Sequence, residues 1–531
     1  MSWQLLKSTT LVSFMTLISR VLGFIRDMVT AYFFGPGVGI DAFVVASKIP
    51  NFMRRLFAEG AFSQAFVPIL SEYRHKTDKE TTKVFIDHVT GTLASVLLVI
   101  TLIGVIAAPL WILIFAPGFL EDTAKYDLTV SMLRLTFPYL LFISLTALAG
   151  GILNTYGKFA VPAFTPVFLN LCLIAAAVWL SPYCAQPIMA LAIGTLIGGV
   201  VQLGFQLPFL ARLHLLPRCR VAFTDPGVKR VMQLMFPALL GVSVNQLNML
   251  LSTLFASFLP TGSVSWLYYA ERLMEFPSGG FGVALATVVL PHLSKHRAAA
   301  NKAAFSQTMD WALRWVLLVA LPAAIGLGLL AGPLIATLFM VANGRFNEQD
   351  ALMTQLALWA YAPAVLGFMV AKVLASGYYA CQDIKTPVKI AVATVVVNMV
   401  ANFLLIGPFA HQGLAMATSI SALFNAITLG IILIRRRMVQ CEPGWRVFLL
   451  RLGLSGGAMA LALMYLSPPL TEWFAWTTKN KILNLAGLIG MSMVLYVLML
   501  WVTGLRKHHL IHDTHDVIPR LDRGTQKLPN E

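Results

Sequence analysis

The sequence predicts an all-α polytopic membrane protein: about fourteen transmembrane helices, arranged as two six-helix lobes related by pseudo-twofold symmetry plus two extra C-terminal helices. Three observations predict it. Of the 531 residues, 58% are hydrophobic and only 12% charged, with a mean hydropathy of +0.76, more apolar surface than a soluble chain could hide. Apolar runs of about 20 residues, the length of a membrane-spanning helix, recur along the whole chain without the alternation of barrel strands. Basic loops also alternate with loops nearly free of Lys and Arg.

In order, the apolar stretches lie near 8–34, 40–70, 84–116, 129–153, 160–181, 187–210, 229–257, 264–294, 310–339, 351–379, 386–407, 412–434, 447–467 and 482–504. Every second loop is basic: Arg74 to Lys83, then Lys158, then Arg212 to Arg230, then Lys295 to Lys302, then Lys385 and Lys389, then Arg435 to Arg446. The loops between them (GPGVGI, PGFLEDTAKYD, SPYCAQP, FLPTGS and IGPFAHQG) are poor in Lys and Arg. The basic side is expected to be cytoplasmic, which with an even number of spans puts both termini there. No small-residue cleavage site follows the first apolar stretch, so that helix is expected to be retained.

The chain also repeats itself. Residues 41–74 (DAFVVASKIPNFMRRLFAEGAFSQAFVPILSEYR) correspond to 265–297 (SWLYYAERLMEFPSGGFGVALATVVLPHLSKHR), pairing Pro68 with Pro291, Ser71 with Ser294 and Arg74 with Arg297. Pro138 and Pro162 find Pro363 and Pro387 at nearly the same offset. A duplication of six spans keeps both copies in one orientation, with the pseudo-twofold axis along the membrane normal. The expected units are an N-lobe (1–220), a C-lobe (221–440), two added helices (441–505) and a polar tail (506–531).

A formal net charge of +16 would suit nucleic acid in a soluble chain. Here it is assigned to cytoplasmic loops and a basic cavity. The five cysteines lack metal-ligand spacing or a pairing signature and are read as structural. The tail histidines His508, His509, His512 and His515 have no flanking ligands at metal-binding spacing.

Charges inside the apolar stretches carry the functional signal. A charge at the bilayer centre costs roughly 2.5–3.5 kcal/mol on insertion scales, so such residues face a wet cavity or one another. The first span carries Arg20, Arg26 and Asp27, with Arg20 and Asp27 seven apart on one face. The second opens with Asp41 and Lys48 and continues through Arg54, Arg55 and Glu59, with Glu59 placed to pair with Arg55. The eighth carries Glu271, Arg272 and Glu275, followed by Pro277 and glycines expected to break or bend it. Arg134 and Lys372 are weaker candidates.

Some of these charges must pair internally. Several arginines at matching places in two repeats nevertheless point to an anion receptor, because a guanidinium grips phosphate with two prongs. No nucleotide-binding GxxxxGK[ST], HExxH or GxSxG motif competes with a transport reading. No enzyme activity, cofactor or metal is expected.

SRVLGFIRD (19–27), DAFVVASKIPNFMRRLFAEGAFSQAFVPILSEY (41–73), TGSVSWLYYAERLMEFPSG (261–279), QDIKTPVKIA (382–391) and the PGW at 443–445 closely resemble the bacterial MurJ (MviN) lipid II flippases. These belong to the multidrug/oligosaccharidyl-lipid/polysaccharide exporter superfamily. The resemblance covers the chain to about residue 505; the tail departs from it. It implies two six-helix lobes plus two helices. It also implies movement of undecaprenyl-pyrophosphoryl-MurNAc-pentapeptide-GlcNAc from the cytoplasmic to the periplasmic leaflet of the inner membrane, for peptidoglycan synthesis. Substrate-binding residues are implied at Arg20, Arg26, Asp27, Asp41, Arg54, Arg55, Glu59, Arg272 and Glu275, with a lipid-tail groove at about 447–504. The implied partners are lipid II, membrane lipids and cell-wall synthesis proteins, with no nucleic acid. Rival readings are a flippase for another polyprenyl-pyrophosphate glycan, a multidrug/cation antiporter, which would want a net acidic cavity, and a scaffold, which leaves the charges unexplained.

Overall fold

The computed structural model describes residues 3–55, 62–439 and 444–505, and every regular element among them is helical. The first half comprises α1 (Trp3–Phe34), α2 (Val38–Arg54), α3 (Ser63–Lys76), α4 (Lys79–Ile106), α5 (Ala108–Phe115), α6 (Thr123–Thr136), α7 (Tyr139–Thr155), α8 (Ala160–Phe164), α9 (Pro166–Ala175) and α10 (Met189–Arg212). The second comprises α11 (Pro226–Ser257), α12 (Ser263–Ala298), α13 (Lys302–Leu329), α14 (Ala331–Leu338), α15 (Glu348–Ala380) and α16 (Lys385–Arg435). After it come α17 (Trp445–Leu466), α18 (Leu470–Ala475) and α19 (Thr478–Val502). Among the described residues, ten helical runs are long and apolar enough to cross a bilayer, against the fourteen spans expected. Helix also covers the described residues of the other expected stretches, as α1, α2 and α3, and α11, and the expected stretches 386–407 and 412–434 share α16.

Local sequence explains the helix ends. Asp225 caps α11 by accepting from the N–H groups of Gly227 and Val228 at 2.8 and 3.1 Å, with Pro226 in the first turn where no N–H is needed. Asn347 and Asp350 form a reciprocal capping box on α15. Pro138 divides the fourth expected span into α6 and α7. α16 turns a sharp corner at Ala410 (φ 48°, ψ −128°), where a Cβ on Gly413 would lie 2.3 Å from the Leu405 carbonyl oxygen.

Of the break or bend expected after Pro277, the break is absent. Pro277 and the glycines after it do not break α12, which runs on as one helix to Ala298. The proline removes one N–H donor, but the helix is held on both sides of it: Met274 and Ser278 are buried, and the Ser278 carbonyl also accepts from Lys372 Nζ at 2.9 Å.

The main core spans both halves, and a second forms around α3, α4, α7 and α11. A third ties α13 and α14 to α17–α19 around the fully buried Trp473. Polar contacts fix that attachment. Trp445 Nε1 donates to Asp310 at 2.5 Å, Arg314 pairs with Asp310 at 2.7 Å, and the Tyr496 hydroxyl donates to the Leu318 carbonyl at 2.9 Å. The outer surface is apolar: Leu98, Leu102 and Ile106 on α4, Phe403 and Leu404 on α16, and Met493, Val494 and Val497 on α19 are exposed. That is the surface lipid would cover, with the backbone polar groups satisfied inside the helices.

Small residues set the closest helix approach. A Cβ on Gly367 of α15 would lie 2.6 Å from the Ala422 carbonyl carbon of α16, whereas one on Gly430 would make ordinary contact with Leu374 at 3.7 Å. Gly367→Val is expected to destabilise by about 1–3 kcal/mol through overpacking, and Gly430→Ala to be neutral. Thermal unfolding of the two purified variants checks this, and equal midpoints would refute the close-approach argument.

Candidate functional site

Three adjoining cavities, of about 290, 490 and 620 Å³, lie where α1, α2, α12 and α15 face one another. Arg26, Arg272 and Glu275 line both the first and the second, Lys48, Arg55 and Glu271 both the first and the third, and Lys372 the second and third. Arg54 faces the first, and Arg20 and Asp27 the second. Among the described residues, seven cations therefore line this space against three carboxylates.

A hydrogen-bonded network organises the centre. Arg26 donates from Nε and Nη2 to Asp27 Oδ1 at 3.0 and 2.6 Å, from Nη1 to Asn170 at 3.1 Å and from Nη2 to the Tyr268 hydroxyl at 3.3 Å. That hydroxyl donates to Asp27 Oδ1 at 2.8 Å. Arg272 Nε lies 3.5 Å from Asp27 Oδ2, its guanidinium 5.0 Å from the centre of the Tyr268 ring, and its Nη1 3.1 Å from Glu275 Oε2. The Asp27 side chain is only 3% exposed, whereas those of Arg272 and Glu275 are 39% and 49% exposed. Asp27 is thus consumed in holding Arg26 and Tyr268, while Arg272 and Glu275 open onto the cavity.

The other cations reach neutral polar groups as well. Arg54 Nε donates to Asn51 at 3.3 Å, and Lys48 Nζ to the Thr253 hydroxyl at 3.2 Å, reaching from α2 to α11. Arg20 is exposed, and its guanidinium lies over Gly279 of α12, 2.6 Å from where a Cβ would stand. Such an array, with donors facing open space, can receive an anion with several oxygens.

Asp41 stands apart. It is fully buried in the first turn of α2 and lines none of these cavities. Its Oδ2 accepts from Lys125 Nζ and the Gly262 N–H, both at 2.8 Å, and its Oδ1 from the Ser265 N–H and hydroxyl at 2.9 and 2.5 Å. A carboxylate from the first half therefore caps the N-terminus of α12 in the second. Neighbouring contacts join the halves at the same end: the Ser257 hydroxyl accepts from the Gly118 N–H at 3.1 Å, and the Tyr32 carbonyl from the Arg345 N–H at 3.0 Å. Arg54 follows Asp41 by thirteen residues on α2, so the cavity arginines lie roughly 20 Å along the helix from this junction.

All the sequence candidates except Asp41 and Glu59 line the cavities; Glu59 and its expected pairing with Arg55 lie outside the described residues. Lys372 belongs with them, whereas Arg134 is exposed on the last turn of α6 and lines none of the three. Sequence reasoning missed Lys125, Tyr268 and Asn170. Lys125 looked like one more loop charge, and nothing local marks a tyrosine or an asparagine as the partner of an arginine a hundred or more residues away.

Comparison with known proteins places the chain as a whole. The family described as "Lipid II flippase MurJ" matches residues 30–486. A probable lipid II flippase MurJ of Vibrio cholerae is 45% identical over 519 residues, covering 95% of this chain and 97% of the relative. A lipid II flippase MurJ of Burkholderia cenocepacia is 41% identical, with coverages of 94% and 98%. A solved lipid II flippase MurJ, described as inward closed, superposes with a TM-score of 0.78 at 26% identity, over 92% of this chain and 98% of that one. An inward-facing multidrug resistance MATE family transporter of the MOP superfamily shares the fold, with a TM-score of 0.66 at 13% identity, over 79% of this chain and 94% of that one. A bundle built around a cationic centre, matched along nearly its whole length, belongs to the lipid II flippase MurJ family.

Proposed function

We propose that this protein moves lipid II from the cytoplasmic to the periplasmic leaflet of the bacterial inner membrane by alternating access, with both termini in the cytoplasm. The observation that carries the reading is the surplus of cations, seven against three carboxylates among the described residues, around a central space between the two halves. A pyrophosphate linkage is the part of lipid II that this surplus would grip. Arg272 and Arg54 supply donors to it. Arg26, fixed by Asp27, Asn170 and Tyr268, supplies a rigid positive wall. The prenyl chain stays in lipid alongside.

The two halves rock about this centre. The junction at Asp41 closes one end while the headgroup loads from the other; its release lets the cavity open outward. An inside-negative potential favours outward movement of the anionic headgroup and return of the emptied cationic cavity, by about 2.3 kcal/mol per charge per 100 mV. The same surplus opposes a cation antiporter. A flippase for another polyprenyl-pyrophosphate glycan shares the anion chemistry and is the second reading.

Complementation of a lipid II flippase-depleted bacterium tests the function. The wild-type chain is expected to rescue growth, and Arg272→Ala and Arg54→Ala, at matched membrane levels, to fail. Each removes hydrogen bonds to a charged group worth about 1.5–3 kcal/mol, roughly tenfold or more in occupancy. Failure of a well-inserted wild type would favour the other glycan; rescue by both variants would refute the cavity assignment.

Asp41→Ala leaves Lys125 buried without its partner, a change that typically costs 3–5 kcal/mol. Labelling of Ser47→Cys, in the smallest cavity, by a membrane-impermeant maleimide from the periplasm is therefore expected to accelerate when Asp41→Ala is added. Unchanged labelling would show that Asp41 does not hold that end closed.

A further inference from the structure

A fourth cavity, of about 640 Å³, lies at the opposite end of the second half from the Asp41 junction, where the ends of α12, α15 and α16 meet the start of α13. Its charged lining is His296, Arg297, Lys302, Arg436 and Arg437, over a floor that includes Phe305 and Cys381. The nearby acid is Asp383, which accepts from Arg436 Nη1 at 2.7 Å and from the Thr386 hydroxyl at 2.6 Å. Arg297, Lys302 and Arg437 form no ion pair among the described residues, so the cavity keeps a positive excess.

The backbone around it is unusual for the residues it carries. α12, α15 and α16 each end on a non-glycine residue in the left-handed region: Ala300 (φ 54°), Gln382 (φ 59°) and Arg437 (φ 53°). At Arg437 the N–H of Met438 reaches back to the Leu433 carbonyl at 3.2 Å, the helix-ending turn that ordinarily takes glycine. An arginine stands where glycine would be easiest, and its side chain lines the cavity.

The internal repeat shows that this corner need not be open. Residues 153–162 map onto 378–387 at an offset of 225. Lys158 N–H donates to the Leu153 carbonyl at 2.8 Å and Asp383 N–H to the Tyr378 carbonyl at 3.0 Å, while Gly157 and Gln382 are both left-handed. Arg74 is the counterpart of Arg297. It donates to the Thr155 carbonyl and lies 4.5 Å over the Tyr156 ring. At the position of Tyr156 the second half has Cys381. The first half covers its arginine with its own aromatic ring; the second has a small thiol there and a basic cavity.

We infer that this cavity binds a phosphate group, that of an anionic phospholipid in the leaflet at the basic end of the bundle. Converging guanidinium groups suit phosphate oxygens, and basic pockets between the ends of membrane helices take phospholipid headgroups. Phe305 and the rest of the floor give the glycerol an apolar surface. The site shares no lining residue with the central cavities and is independent of the transported cargo.

The test uses the full chain in nanodiscs of phosphatidylcholine, with or without phosphatidylglycerol. Maleimide labelling of Cys381 is followed by peptide mass spectrometry, and thermal unfolding is measured in parallel. Phosphatidylglycerol is expected to slow labelling several-fold and raise the unfolding temperature. Both effects should be lost in Arg297→Gln/Arg437→Gln. In Cys381→Tyr, which restores the ring of the first half, the lipid-dependent thermal shift should be lost. Lys302→Gln, an exposed change at the start of α13, gives a further variant and should weaken both effects. Protection by millimolar inorganic phosphate without phosphatidylglycerol would support the phosphate site but overturn its assignment to lipid. Equal protection in the wild type and the arginine variants would overturn the site.

Discussion

A carboxylate out of reach of water joins the two halves of this bundle. Asp41 accepts four hydrogen bonds from three residues on two separate segments, one of them the ammonium of Lys125. Burying a charge this fully is tolerable only when every lone pair is taken and a counter-charge is adjacent. The two halves can therefore close at this end in only one register, with the start of α12 seated against the start of α2. Everything the cavity does depends on that seating, because α12 and α2 carry Arg272, Glu275, Arg54 and Arg55.

The same rule operates with a different result further along. Asp27 is as buried as Asp41, but its partners Arg26 and Tyr268 line the first cavity rather than sealing it. One acid fixes Arg26, while Arg272 pairs with Glu275 at the more exposed edge of the cavity. With Asp41 withdrawn to Lys125 and Lys372 added, the cation excess is larger than a sum over charged residues in the apolar stretches suggests. Net charge in a cavity is a property of which acids remain there, and pairing decides that.

The repeat shows how one local geometry yields different chemistry. Arg74 and Arg297 occupy matching helix ends, yet the first rests on Tyr156 and the second lines a cavity beside Cys381. The helix-ending hydrogen bonds of the two corners match, and the side chain at the position of Tyr156 is one difference between them. The duplicated fold supplies the position, and the residue there decides whether a corner is filled or open.

The sequence by itself determined the all-helical membrane architecture, because apolar runs and basic loops answer to bilayer thickness and lipid chemistry, which need no knowledge of neighbours. It also determined which residues were candidates, since charges in apolar stretches are costly wherever they sit; Arg20, Arg26, Arg54, Arg55, Arg272 and Glu275 all line the central space. Tertiary structure alone decided the partnerships. It withdrew Asp41 to Lys125, held Arg26 between Asp27, Asn170 and Tyr268, and kept α12 continuous past Pro277. These depend on contacts between residues up to 242 apart in the chain, and no local pattern encodes which distant side chain will complete a hydrogen bond.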